Sequence, residues 1–149
     1  MIRSIKGTHD ILPNQTWRWR KIESSLHGFM QKYGYQEIRT PAFEKTELFA
    51  RGIGQETDIV SKDMYSWTDQ GGENLTLKPE LTAPVVRSFI QHNLGSQSAV
   101  NRLYYMDALF RRERPQKGRT RQFHQFGVEV FGMEGPDIDA EIIFMSRRF

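Results

Sequence analysis

The stretch FRRERPQKGRTRQFHQ, Phe110 to Gln125, decides how the rest of the chain is read. From Arg111 to Arg121 it holds six Lys or Arg against one acid, Glu113, and a turn signal runs from Pro115 to Gly118. Apolar and aromatic residues flank it on both sides, which predicts a hairpin tip between strands near Arg102 to Glu113 and Arg121 to Gly132. Successive side chains of a strand point to opposite faces. Arg111 and Glu113 then share a face of the first strand, and Phe123, Gln125 and Glu129 share a face of the second. If the register makes these faces coincide, one surface carries a guanidinium, two carboxylates, an amide and an aromatic ring. Such a surface is a binding floor rather than a core.

A basic hairpin tip alone is also the signature of a solvated loop or a nonspecific polyanion contact. The pairing of Arg with Glu beside an aromatic points further, because that mix suits a nucleotide: guanidinium for phosphate, ring for base, carboxylate for an exocyclic amine. ATP is the natural candidate.

Composition bounds the rest. With 149 residues, 38% of them hydrophobic and 12% aromatic, the chain can bury one core and has the size of one ordinary domain. Net charge is only +3, so the basic hairpin is a local concentration of charge and long-range capture of nucleic acid is modest. The absence of cysteine removes disulfides, thiolate nucleophiles and Cys-type zinc sites together. His9, His27, His92 and His124 show no metal-ligand spacing, so no metal site is expected. No apolar run approaches membrane-spanning length and no signal-peptide pattern opens the chain, which makes the cytoplasm the expected location.

Ahead of the hairpin, Lys6 to Pro13 is turn-rich and reads as an irregular lead-in or short strand. Asn14 is the expected cap of a helix to Tyr33, with Trp19, Ile22, Leu26, Phe29, Met30 and Tyr33 at helical spacing. Gly34 ends it, and a strand over Tyr35 to Thr40 precedes Pro41. Thr46 to Arg51 reads as a short helix, Gly52 to Gly54 as a break and Gln55 to Asp58 as loop; the glycines lack the pattern of a phosphate-cradling loop. Met64 to Thr68 and Asn74 to Lys78 read as strands around a reversal at Asp69 to Glu73. KPELT, Lys78 to Thr82, stands where strand becomes helix, with Pro79 near a first helical position. Glu80 and Thr82 then lie near a helix start, where an acid can be no more than a first-turn residue favoured by the dipole. The helix is expected to reach Leu94 and stop at Gly95, and after the hairpin Asp137 or Asp139 leads into a last helix.

The phrases ERPQKGR, Glu113 to Arg119, and RQFHQFGVE, Arg121 to Glu129, resemble motif 2 of the class II aminoacyl-tRNA synthetases in the wording of the histidyl-tRNA synthetase family. The resemblance runs over nearly the whole chain. It implies an α+β fold, an antiparallel sheet flanked by helices, with residues 1–149 forming the N-terminal part of the catalytic domain. KGTHDILP resembles the family's opening phrase, and the first helix, strand and Pro41 resemble motif 1, through which class II synthetases dimerise; a homodimer is therefore implied. Motif 3 and the anticodon-binding domain would lie beyond Phe149, leaving the site incomplete.

The same resemblance implies a reaction needing no Ser-His pair and no thiol. The carboxylate of histidine attacks the α-phosphorus of ATP, and tRNA(His) then receives the aminoacyl group. ATP with Mg2+ would be the substrate complex, with no tightly bound cofactor and no membrane partner. Arg111 would hold the α-phosphate and the histidine carboxylate, Arg119 the terminal phosphate, Glu113 the adenine amine and Phe123 the adenine face. Glu80, Thr82 and Gln125 would hold the substrate ammonium and Glu129 the imidazole, since a carboxylate can accept a ring N–H. His124, on the opposite face by alternation, would be structural. Leu81 departs from the family's usual glycine between Glu80 and Thr82, which could alter how closely the backbone approaches a ligand. Two rivals remain: a noncatalytic relative that regulates ATP phosphoribosyltransferase in histidine biosynthesis, and a bare nucleic-acid-binding module with steeply salt-dependent RNA binding.

Overall fold

The computed structural model describes residues 1–53 and 64–149. Along the chain run α1 (Pro13–Lys32), β1 (Gln36–Glu37), β2 (Phe43–Lys45), α2 (Thr46–Ile53), β3 (Ser66–Thr68), β4 (Asn74–Leu77), α3 (Thr82–Gln91), α4 (Leu94–Gln97), β5 (Asn101–Phe110), β6 (Gln122–Phe131) and α5 (Pro136–Arg148). The fold is α+β, with small, mainly antiparallel sheets and flanking helices. There are two three-stranded sheets among the described residues, in orders β1-β5-β6 and β2-β4-β3, where one antiparallel sheet was expected. Among the described residues only the β1–β5 pairing is parallel.

The β5–β6 hairpin dominates, and its register runs from Asn101↔Phe131 to Phe110↔Gln122. One face of it, through Tyr104, packs with Leu26 and Met30 of α1 and Met145 of α5; Val128 and Val130 join from β6. The opposite face sets Leu103, Tyr105 and Leu109 against Leu81 and Val85 at the start of α3. That second face is the one bearing Phe123, Gln125 and Glu129, so the expectation of a floor and no core needs correction. Its β5 half is core beneath α3, and its β6 half carries the polar residues.

Several boundaries differ from expectation for identifiable reasons. Asn14 does not cap α1: Pro13 takes the first helical position, suited to its fixed φ, and the Gln15 side chain accepts the Leu12 N–H at 3.4 Å. Leu26 and Met30 are buried but Ile22 is exposed, so the apolar stripe is core only in its C-terminal half. The strand expected over Tyr35 to Thr40 reduces to two paired residues. Helix α2 runs on through Gly52 to Ile53, into the expected break; Gly54 to Asp58 lie outside the described residues. The strand expected from Met64 pairs only over Ser66–Thr68, and β2 was not foreseen. Pro79 precedes α3 instead of opening it, and α3 stops before Leu94 because Asn93 turns left-handed at φ 51°, a conformation Asn tolerates better than most residues. Gly95 then falls inside the short α4.

Lys78 ties the two sheets together. It follows β4, its N–H donates to the Ala42 carbonyl at 3.0 Å, and its carbonyl accepts the Phe110 N–H at 3.0 Å. Its side chain is 1% exposed, and Nζ donates to Asp107 Oδ2 at 2.5 Å and to the Thr40 carbonyl at 3.1 Å. A buried ammonium is tolerable only with such partners. Asp107→Ala leaves that charge without its counterion. Such losses cost about 3 to 5 kcal/mol, and the partial exposure of Asp107 points to the lower end, roughly 3 kcal/mol. Urea unfolding of the purified chain, wild type against variant, measures it.

Candidate functional site

The polar half of the hairpin face is met by the start of α3. Thr82 is the first residue of α3, and its hydroxyl reaches across to donate to Glu129 Oε1 at 2.7 Å. Tyr105, from the neighbouring strand, donates its hydroxyl to the same oxygen at 3.2 Å. Burial pushes the Tyr105 phenol up to about 12, and the Glu129 charge pushes the same way, so it is a protonated donor throughout the neutral range. Gln125 lies on the same face, opposite Asp107 in the ladder.

Glu80 precedes α3, and its two carboxylate oxygens accept the Ala83 N–H at 3.1 and 3.2 Å. It therefore caps the helix, satisfying a backbone donor that the helix leaves open. Burial raises its pKa above the ordinary 4.5; the backbone N–H groups of Ala83 and Thr82 lower it, the Glu129 charge raises it and Arg111 lowers it. Leu81 is buried with Val85 and Leu103, so its bulk is spent on core packing.

At the hairpin's outer end Arg111 lies with its guanidinium carbon 5.1 Å from the centre of the Phe123 ring. Its Nε donates to the Pro79 carbonyl at 3.0 Å, which locks it to the turn before α3. Glu113 stands between two guanidinium groups, 3.9 Å from Arg111 and 3.4 Å from Arg119. These residues, with Gly118, Thr120 and Phe123, line a cleft of about 250 Å³. Ligand sites for whole small molecules begin near roughly 300 Å³, so the cleft as it stands suits part of a nucleotide. The tip closes through a Gln116–Arg119 bridge, with Gly118 at φ +79° in the turn position that requires positive φ.

Arg111 and Glu113 lie past the end of β5, although both were expected within it. The Arg111 N–H still donates to the Arg121 carbonyl at 2.9 Å, but the Arg121 N–H is given to the Gly7 carbonyl at 2.7 Å, which ends the ladder. Gly7 has φ +91°, and a Cβ there would lie 2.9 Å from Pro115 Cγ. The irregular lead-in thus braces the hairpin's base. Neither Gly7 nor Tyr105 was singled out from the sequence. A lone glycine in KGTHD carries no visible partner, whereas the β5–β6 register would have placed Tyr105 beside Glu129. His124 is on the opposite face, its ring 4.4 Å from that of Trp19.

A helix-flanked hairpin with a basic tip, beside a strand-to-helix turn bearing Glu80 and Thr82, has the fold of class II aminoacyl-tRNA synthetases. The family model for histidyl-tRNA synthetase matches residues 7–148, and the chain belongs to that family. A histidine–tRNA ligase of Staphylococcus epidermidis is 56% identical over 146 residues, 97% of this chain, and one of Solibacter usitatus is 52% identical over 143 residues, 96% of it. The chain spans 34% of the length of each of these curated relatives. Among solved structures, apo histidyl-tRNA synthetase of S. aureus superposes with a TM-score of 0.81 at 43% identity, covering 99% of this chain and 34% of that one. A Bacillus halodurans protein described as an ATP phosphoribosyltransferase regulatory subunit/histidyl-tRNA synthetase superposes at 0.83 with 26% identity, covering 99% and 37%. No helix among the described residues is long and apolar enough to cross a membrane.

The Glu80 environment makes a titration prediction. A raised carboxyl favours the folded state only while protonated, so its contribution is present below pH 4.5 and is lost as pH rises through the folded value. Glu129→Gln removes the one neighbouring charge that raises it. Carbon-13 NMR of the labelled carboxyl should show Glu80 titrating above the ordinary range in wild type, and lower in Glu129→Gln while still raised by burial.

Proposed function

We propose that this chain contributes the histidine- and ATP-binding part of a histidine–tRNA ligase, which activates histidine as the adenylate and transfers it to tRNA(His). The observation that carries this reading is the Glu129 carboxylate: two hydroxyl donors share Oε1, and no donor among the described residues reaches Oε2. A carboxylate with one open oxygen is suited to an imidazole N–H and rejects apolar side chains of similar size.

In the reaction, a carboxylate oxygen of histidine forms a bond to the α-phosphorus of ATP as the bond to the β-phosphate oxygen breaks and pyrophosphate leaves. Arg111 would sit between the histidine carboxylate and the α-phosphate, offsetting charge as the two anions approach. Its Nε is already committed to the Pro79 carbonyl, so its terminal nitrogens meet the ligands without further ordering. Phe123 would support the adenine face and Glu113 would accept the adenine amine. For Arg119 to take the terminal phosphate it must leave Glu113; that pair is exposed and parting it costs under about 1 kcal/mol. Thr82 spends its one proton on Glu129, which leaves its oxygen lone pairs for the substrate ammonium beside Glu80 and Gln125. Mg2+ would arrive on the phosphates, which with one or two carboxylates commonly complete its coordination. The tRNA, a second copy of the chain and a cytoplasmic setting belong to the same reading.

A second reading, a regulatory subunit of ATP phosphoribosyltransferase, is favoured by the resemblance to the Bacillus halodurans structure. Histidine-dependent exchange of label between pyrophosphate and ATP separates the two. In the full-length protein Glu129→Gln should weaken histidine use by about 2 kcal/mol, roughly thirtyfold, the scale of a charge-assisted hydrogen bond, with ATP affinity little changed. Arg111→Ala should lower the exchange rate itself. Undetectable exchange in the full-length protein would favour the regulatory reading, and unchanged histidine dependence in folded Glu129→Gln would remove Glu129 from the specificity role.

A further inference from the structure

Tyr105 and Gly127 are direct partners in the β5–β6 ladder. The tyrosine ring lies across the strand over the glycine, so closely that a Cβ at position 127 would fall 2.5 Å from the Tyr105 hydroxyl oxygen and 2.7 Å from two ring carbons. No side chain can occupy that position with the ring where it is. Gly127 has no positive φ among the strand residues that would otherwise call for glycine, so its absent Cβ serves space and not backbone conformation. The ring is 4% exposed, wedged among Leu81, Val85, Leu103 and Leu109. Only its hydroxyl reaches the polar half of the face, and it ends on Glu129 Oε1.

We infer that Tyr105, seated in the space left by Gly127, is a positioning residue that aims the Glu129 carboxylate at the substrate's side chain. The argument is one of counting donors. Thr82 and Tyr105 approach the same oxygen from α3 and from β5, on two different elements, and together they fix the carboxylate's rotation. Oε2, which no donor among the described residues reaches, is thereby left for a ligand. With Thr82 alone the carboxylate could turn about that single bond, and a substrate N–H would have to order it at the moment of binding. The high phenol pKa keeps this donor in place at neutral pH. This inference rests on the reading of Glu129 as the acceptor of the histidine imidazole.

The test is calorimetric binding of histidine and, separately, of ATP to the full-length protein, in wild type, Tyr105→Phe, Glu129→Gln and the double variant. Tyr105→Phe keeps the buried ring and removes one oxygen. It should weaken histidine about tenfold, the scale of a hydrogen bond to a charged group, and leave ATP binding unchanged. In the Glu129→Gln background the same change should have little further effect, because a residue that acts through the carboxylate loses its influence when the charge is gone. Gly127→Ala, which displaces the ring while keeping its hydroxyl, should reproduce the selective loss and serves as the second variant if Tyr105→Phe does not fold. Equal losses from Tyr105→Phe in both backgrounds, or loss of histidine and ATP binding alike in folded protein, would reduce Tyr105 to a packing residue and overturn the inference. Failure of wild type to bind histidine, or full binding by Glu129→Gln, would instead overturn the underlying reading of Glu129.

Discussion

The antiparallel register of β5 and β6 is the constraint on which the rest depends. Side chains alternate with period two, so sliding one strand by a single residue would exchange the faces of every residue it carries. Glu129, Gln125 and Phe123 would then face α1, and Val128 and Val130 would face the cleft. The register is held by burial on both faces at once: Tyr104 belongs to the core with α1 and α5, while Leu103, Tyr105 and Leu109 belong to the core with α3. Each core excludes the slipped state that would satisfy neither. The positions of the polar groups are therefore set by apolar residues that touch no ligand.

This division of labour explains how much of the molecule was legible in the sequence. The hairpin was legible because alternation, a glycine-containing turn and a dense basic tip all signal the same element locally. Phe123, Gln125 and Glu129 fall on a common face by arithmetic alone, and the structure keeps them there. Arg111 and Glu113 were placed in the strand because nothing local shows that Gly7, more than a hundred positions away, claims the Arg121 N–H and ends the ladder. Of the second sheet, β3 and β4 were legible from the glycine-containing reversal between them, whereas β2 was not, because its three residues are too few for a periodic signal. Lys78 read as the end of a strand where a helix follows, and only its long-range bonds to Asp107 and the Thr40 carbonyl reveal it as a buried cation. What tertiary contact decides, a local pattern cannot carry.

Charge in the site is arranged by depth. At the outer end Arg111, Glu113 and Arg119 pair in partial exposure, where rearrangement is cheap and a polyanion can compete for the cations. Further in, Glu80 is tied to the backbone of α3 and raised by burial, and Glu129 is bound by two neutral hydroxyls. The inner groups are fixed by neutral dipoles that do not cancel their charge, which is what the proposed reading of an ammonium and a ring N–H requires.

The clasp between Gly7 and Arg121 bears on how the chain assembles. Its two ends are 114 residues apart, so the contact closes a loop embracing most of the described structure. Loop closure of that length is slow to find by chance and is rewarded only once the hairpin already exists. During synthesis the lead-in emerges before the hairpin, so its Gly7 carbonyl lacks the Arg121 N–H until the returning arm has followed it. The opening residues therefore act as a late latch, and a chain interrupted before Arg121 would carry them loose.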